Sequence, residues 1–394
     1  FTFDWSPDSK RIVIATNRDK KAMVKSWKDE LIVLDPRNGK FKRLNLPDGV
    51  KYGPVWSPDG KHIAYAGRLG NDGLYSTENV ELWVCESSGR NARSLTGKQD
   101  YCMMAIAISD SSEVKFAPNI MWSPDSKRVY AQVGWHGEAH IASIGVRGGE
   151  LKFHTGGKRI HNMGNCSADG KSLTFTMGDA GGLENVLVSH TSPSKVLTLT
   201  DFNRELFSQL ILAKPRAAWV KSTDGVRVQT WLLMPPNPKR GKKYPAVLEI
   251  HGGPHAMYGV GFFHEFQLLA ANGYLVFFSN PRGGKGYGRD FCNAIRGSWG
   301  GKDWEDIQAV TKFMKSQRAV NTKRMGIMGG SYGGYMTNWA IGHTNEFAGA
   351  ITDRCVTGHK VTFMISLPKR YVEDMKRVPG VKEVTWCNWF GGKD

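Results

Sequence analysis

Met325-Gly326-Ile327-Met328-Gly329-Gly330-Ser331-Tyr332-Gly333-Gly334 decides the fold. A short apolar strand runs into Gly-x-Ser-x-Gly, and a helix over about 332–342 follows it. In that context a serine stands on a strained strand-to-helix turn, and the flanking glycines let backbone segments approach closely enough to hold it proud of a sheet. The helix start directly behind it aims free N–H groups at the same point. A bare Gly-x-Ser-x-Gly carries little weight in a chain with 46 glycines; between strand and helix it marks Ser331 as a nucleophile. Working outward, strands at 246–250 and 274–278 alternate with helical stretches at 263–271 and about 303–317. This alternation predicts a mostly parallel sheet with helices on both faces. Two earlier strands, 217–220 and 226–233, flank the turn Thr223-Asp224-Gly225, and Phe347–Ile351 reads as about the sixth strand of the set.

Acyl transfer at a serine develops an oxyanion, which two pre-aimed backbone donors stabilise. The residue after the nucleophile, Tyr332, supplies one N–H. His251-Gly252-Gly253-Pro254, directly after the third strand, supplies the other, assigned to Gly253. His251 precedes the nucleophile, against the order serine, acid, histidine usual for this arrangement, and is read as shaping its loop. Arg282 offers a planar donor for a substrate carbonyl or carboxylate, with a structural ion pair as the competing role.

The first half repeats itself. Trp5-Ser6-Pro7-Asp8 recurs as Trp56-Ser57-Pro58-Asp59 and Trp122-Ser123-Pro124-Asp125, with a worn copy at Cys166-Ser167-Ala168-Asp169. Each leads through a Pro/Asp turn into alternating apolar strands, such as 11–15, 63–66 and 128–131. Short strands in units of about 40–50 residues are the pattern of β-propeller blades, none of which buries its faces alone. Residues 1–205 hold about four such blades, so the expectation is an N-terminally incomplete propeller over 1–205 and a C-terminally incomplete catalytic domain over 206–394, with Phe1 and Asp394 as breaks in a longer chain.

Composition narrows the classes. With 394 residues, 40% hydrophobic and 23% charged, the chain is globular, and no run approaches the roughly 18 apolar residues of a membrane helix. The net charge of +17 is spread along the chain, the densest patch being Lys239-Arg240-Gly241-Lys242-Lys243, which favours a solvated basic surface over nucleic-acid binding. Six scattered cysteines without a Cys-x-x-Cys pair argue for free thiols in a reducing, cytoplasmic setting. His136 and His140 lie in a strand-rich, glycine-flanked stretch, so no metal is assigned to them, and the glycines of 283–288 do not fit a dinucleotide loop. No cofactor is expected; a homo-oligomer is compatible with the sequence.

Taken together, the Trp-Ser-Pro-Asp blades, His251-Gly252-Gly253-Pro254-His255, Asn280-Pro281-Arg282-Gly283-Gly284-Lys285-Gly286-Tyr287-Gly288, Trp299-Gly300-Gly301-Lys302-Asp303 and Gly329 to Trp339 resemble the prolyl oligopeptidase family of serine peptidases, in its acylaminoacyl-peptidase/dipeptidyl-peptidase-like branch. The resemblance implies an α/β-hydrolase domain behind a propeller that restricts access of folded proteins, hydrolysis of short or N-acylated peptides, Ser331 as nucleophile, and Gly253 and Tyr332 as oxyanion donors. It also implies an acid after a seventh strand and a histidine after an eighth, neither found in this chain, and residues 359–394 match the family poorly. Ser331, Asp353 and His359 have the formal triad order, but acid and histidine stand too close together for the usual arrangement. The competing functions are an esterase and a non-catalytic propeller/hydrolase scaffold.

Overall fold

Four copies of one hydrogen-bonded turn organise the N-terminal part. In the computed structural model, which describes residues 2–22, 25–70, 77–104, 106–111, 117–191 and 194–355, Ser6 Oγ donates to Asp8 Oδ1 at 2.6 Å and accepts the Arg11 N–H at 2.9 Å. The same two bonds recur at Ser57/Asp59 and His62, at Ser123/Asp125 and Arg128, and in the worn copy at Ser167/Asp169 and Ser172. The aspartate and the serine together satisfy the turn's backbone donors, so the chain reverses at a fixed place and the next strand starts in register.

Each turn belongs to a four-stranded antiparallel unit. The first is β1 (Thr2–Trp5), β2 (Ile12–Thr16), β3 (Glu30–Leu34) and β4 (Phe41–Arg43), and the second is β5 (Lys51–Trp56), β6 (His62–Gly67), β7 (Glu81–Glu86) and β8 (Arg93–Ser94). The third comprises β9 (Ile120–Trp122), β10 (Arg128–Trp135), β11 (Glu138–Gly145) and β12 (Lys152–Phe153); the fourth comprises β13 (Ile160–Cys166), β14 (Ser172–Asp179), β15 (Gly182–Thr191) and β16 (Ser194–Thr198). A parallel pairing of Ala139 with Ile160 joins the last two units. The apolar faces are buried between units. Trp56 packs with Val13 and Leu31 of the preceding unit. Trp122 packs with Ala64 and Val84, and its indole N–H reaches the Val55 carbonyl at 3.1 Å. Tyr130 and Ile141 meet Phe175 and Leu187. Each buried aliphatic side chain of this kind is worth about 1.5–3 kcal/mol, realised only when the neighbouring unit is in place.

After α1 (Arg204–Ser208) the pattern changes. β17 (Arg216–Lys221), β18 (Arg227–Leu233), β19 (Tyr244–Ile250), β20 (Leu275–Asn280), β21 (Val320–Gly330) and β22 (Gly349–Asp353) form one sheet in the order β17-β18-β20-β19-β21-β22. β17 and β18 are antiparallel; β20, β19, β21 and β22 run parallel. Alternation sends Ala246, Leu248, Ile250, Leu275 and Phe277 to one face, under α4 (Lys302–Ser316) and α5 (Tyr332–His343). Trp231, Val276 and Phe278 go to the other, under α2 (His264–Ala271). Helices therefore cover both faces, as the alternation predicted. The fifth strand is longer than the apolar run Met325–Met328 suggested because polar Asn321 to Arg324 continue it.

The two β-rich parts dock edge to loop. Met257 donates to Ile106 O at 3.2 Å and accepts from Ile108 N at 2.8 Å, and Val260 N donates to Gly137 O at 2.9 Å. Asp110 accepts the N–H groups of His264 and Glu265, both at 2.8 Å, and so caps α2 from 154 residues away. The cap position itself, Phe263, has no side chain able to do this.

Candidate active site

Ser331 lies between β21 and α5 with φ 58° and ψ −117°. A non-glycine residue there is strained, and the surroundings hold it in place. Its N–H donates to Asp353 O at 2.9 Å, at the end of β22, and its carbonyl accepts the Tyr335 N–H at 3.0 Å in the first turn of α5. The turn is tight enough to exclude side chains beside it. A Cβ on Gly329 would lie 2.5 Å from the Ile250 carbonyl oxygen, and one on Gly333 would overlap that same oxygen. Gly-x-Ser-x-Gly is thus a packing requirement: α5 starts against the end of β19, and only hydrogen fits there.

The glycine loop after β19 reaches the same point. A Cβ on Gly252 would stand 3.4 Å from Ser331 Cβ and 4.0 Å from Oγ. Gly253 follows, exposed, with φ +126°, and among the described residues neither its N–H nor that of Tyr332 has an acceptor. Tyr332 N is the first of the open N–H groups at the start of α5, the positive end of the helix dipole. The side chain of Tyr332 is fully buried, with its hydroxyl donating to Asp303 Oδ2 at 2.5 Å and its ring edge-on to Trp299. Asp303 is also fully buried and accepts the N–H groups of Gly300 and Trp304; burial raises its carboxyl above the usual range. This anchor ties Tyr332 to the start of α4. No local signal in the sequence gives it away; the pairing of Trp299-Gly300-Gly301-Lys302-Asp303 with an aromatic beside Ser331 is its only trace.

His251 is buried with Nδ1 2.8 Å from Gly252 O, and burial lowers its imidazole to about 4. It stacks edge-on against Tyr258 and makes no bond to Ser331, in keeping with a loop-shaping role. Glu249, two residues earlier in β19, is 2% exposed; its Oε1 has no hydrogen-bond partner among the described residues, and burial pushes its carboxyl well above the usual range.

Arg282 takes the ion-pair role. It is 4% exposed. Nε and Nη2 bind Asp306 (2.9 and 2.6 Å), Nη1 binds Asp224 at 2.5 Å, and Nη2 also reaches Ser222 Oγ and Lys302 O, both at 3.2 Å. The guanidinium is spent on the β17–β18 turn and α4, so it is no substrate contact here. Its hydrogen bond holds the Asp224 carboxyl down at about 2.

Every histidine except His359, which lies outside the described residues as does the segment to Asp394, is located, and among the described residues none hydrogen-bonds Ser331 Oγ. The Asp353 carboxylate is paired with Arg354 at 2.7 Å. Cys85, Cys102, Cys166, Cys292 and Cys355 are free thiols. No group of three or more histidine, cysteine or acidic side chains placed to hold a metal occurs among the described residues, nor a helix long and apolar enough to cross a membrane.

Residues 260–377 match the sequence model of the Prolyl oligopeptidase family. An uncharacterized peptidase of Bacillus subtilis, YuxL, is 32% identical over 87% of this chain and 60% of its own length. Dipeptidyl-peptidase 5 of Porphyromonas gingivalis is 27% identical over 87% of this chain and 48% of its own. The chain therefore spans about half the length of these curated relatives. Among solved structures, the acylaminoacyl peptidase of Pyrococcus horikoshii superposes with a TM-score of 0.72 at 23% identity, covering 90% of this chain and 52% of that one. A Mycobacterium tuberculosis puromycin-hydrolyzing peptidase follows at 0.62 and 20%, covering 88% and 60%. At these identities the structural likeness is one of fold.

Proposed function

We propose that the chain is a serine peptidase of the prolyl oligopeptidase family, as the match over residues 260–377 and the likeness to YuxL support, and that it hydrolyses short peptides or N-acylated aminoacyl peptides through an acyl-enzyme on Ser331. The observation that carries the proposal is the strained Ser331 at φ 58° beside the Gly252-Gly253 loop. Ser331 Oγ attacks the scissile carbonyl carbon and passes its proton to a general base. The tetrahedral oxyanion accepts hydrogen bonds from Gly253 and Tyr332 N–H, the C–N bond breaks, the protonated amine leaves, and water then releases the acyl group. These donors are fixed before reaction, Tyr332 by its buried bond to Asp303.

In this reading the four antiparallel units over 1–205 are propeller blades, and 206–394 is an α/β-hydrolase domain. The segment beside the blades meets the hydrolase part at Met257, through Ile106 and Ile108, and at the start of α2, through Asp110, and in this reading the blades admit extended peptides while excluding folded proteins. The alternative, a non-catalytic scaffold, has one support: among the described residues no base meets Ser331.

Hydrolysis of a panel of short peptide anilides, free and N-acetylated, tests the proposal on this chain and on any longer chain that contains it. Turnover lost in Ser331→Ala supports it. Turnover that persists in Ser331→Ala, or none in either chain, overturns it.

A further inference from the structure

The C-terminal sheet separates charge along its strands. Nine acidic residues lie between 206 and 355. Eight of them stand at the end of the sheet that carries Ser331: Asp224 in the β17–β18 turn beside Arg282, Glu249 near the end of β19, Asp353 at the end of β22, and the rest at the starts of α2, α3 (Arg289–Asn293) and α4. Glu346, at the other end, is the ninth, and Lys315 takes it at 2.8 Å. The N-terminal part also meets the sheet at the serine's end, through Met257 and the start of α2.

The opposite end, where the parallel strands start, is basic. Its charges are dispersed in the sequence, and Tyr244 brings them together. Tyr244 N donates to Ala319 O at 2.7 Å, and the residue pairs with Val320 across β19 and β21. Its hydroxyl accepts the Lys239 N–H at 2.8 Å, and Lys242 Nζ lies 5.0 Å over its ring. The loop Lys239-Arg240-Gly241-Lys242-Lys243 therefore stands beside Arg318, Lys323 and Arg324, near the last turns of α4 with Lys312. All of these basic residues are exposed, and among the described residues none has an acidic partner. Like charges gathered in this way repel one another, so the face gains by meeting an anion.

The form of the patch selects the partner. The charges lie in both the sheet layer and the α4 layer, so they cover a face and not a line. The helix ends that reach it are the C-termini of α4 and α5, which offer carbonyls and no N–H cradle for a single phosphate. Tyr244, the aromatic ring at its centre, is 6% exposed and gives no stacking platform to a nucleic-acid strand. Long cationic side chains on a broad face suit a plane of dispersed negative charge, which is the headgroup layer of an anionic bilayer. A cleft of about 380 Å³ between α4 and the end of α5, with Lys312 and the Lys315–Glu346 pair on its wall, has room for one headgroup.

We propose that the strand-start end of this sheet docks on an anionic phospholipid surface, with Ser331 and the antiparallel units turned to water. This goes beyond the peptidase reading and does not rest on it.

Co-sedimentation of the full chain with vesicles tests it, using phosphatidylcholine alone and equal parts phosphatidylcholine and phosphatidylglycerol, with a DNA duplex at equal phosphate concentration as the competing polyanion. Binding to the mixed vesicles is expected, with little to the neutral ones, and it weakens as salt rises. Replacing Lys239, Arg240, Lys242 and Lys243 by Gln is expected to weaken it about a hundredfold or more, at roughly fivefold for each basic group lost. Lys323→Gln with Arg324→Gln, a second variant, is expected to weaken it about tenfold or more. The same loss of charge in the first antiparallel unit, Lys10, Lys20, Lys40 and Lys42 to Gln, is expected to leave the affinity within a factor of about three. Thermal unfolding checks that each variant is folded. Equal binding to neutral vesicles, no binding to the mixed ones, an equal loss in the first-unit variant, an unchanged affinity in the folded patch variants, or tighter binding to the duplex than to the vesicles overturns the proposal. Binding alone is read, so an unreactive Ser331 leaves the outcome unchanged.

Discussion

The repeated turns of the N-terminal part and the single elbow at Ser331 achieve fixed geometry by opposite means. At Ser57, the residues that define the turn lie within five positions of one another, and its two bonds are repeated at three other sites. At Ser331, the backbone is held by Asp353, the glycines are demanded by Ile250, and Tyr332, the proposed oxyanion donor, is anchored through Asp303. Local hydrogen bonding makes a part that can be copied. Long-range packing makes a part that occurs once and depends on the whole sheet. Substitutions should therefore cost little at a turn and much at the elbow or its supports.

The largest loss is expected at Asp306. Asp306→Ala leaves the buried Arg282 guanidinium without its bidentate partner, and breaking such a pair costs about 3–5 kcal/mol; denaturant unfolding measures it. Gly333→Ala comes next, at about 3 kcal/mol, because the new methyl overlaps Ile250 O. Gly342→Ala, in the same helix with nothing within 4 Å of its added Cβ, is the control and is expected to be neutral or stabilising by up to about 1 kcal/mol. Equal losses at Gly333 and Gly342 would break the comparison at its centre.

Glu249→Gln sharpens it through pH. Burial raises the folded-state carboxyl above its unfolded value, so the native state keeps a proton that the unfolded chain releases above about pH 4.3. The wild type therefore loses stability as pH rises from there towards the folded value, and the glutamine variant does not. Thermal midpoints should coincide near pH 4 and favour the variant at pH 8. The smallest effect is at a turn: Ser57→Ala should cost about 1 kcal/mol, and a loss as large as that at Gly333 would show the turns to be more than local devices.

The same contrast explains what the sequence made legible. The four Ser-x-Asp turns, the strands behind them and the Gly-x-Ser-x-Gly elbow were readable because their signals lie within a few residues. The parallel strands and the helices on both faces followed from strand and helix alternation, whereas the order β17-β18-β20-β19-β21-β22, with β20 between β18 and β19, is set by long-range pairing that no local signal carries. Arg282 stayed ambiguous because its partners Asp224 and Asp306 sit 58 and 24 residues away. The Asp110 cap of α2 and the Tyr332–Asp303 bond were missed for the same reason: nothing near Asp110 distinguishes it from any solvated aspartate.

The central claim is that Ser331 is a nucleophile held ready by its fold. A fluorophosphonate probe, with the adduct located by peptide mass spectrometry, tests it most directly on this chain and on any longer chain containing it. A single adduct on Ser331 in at least one of them, lost in Ser331→Ala, is the expected result. No adduct in either, or an adduct on another serine, would contradict it.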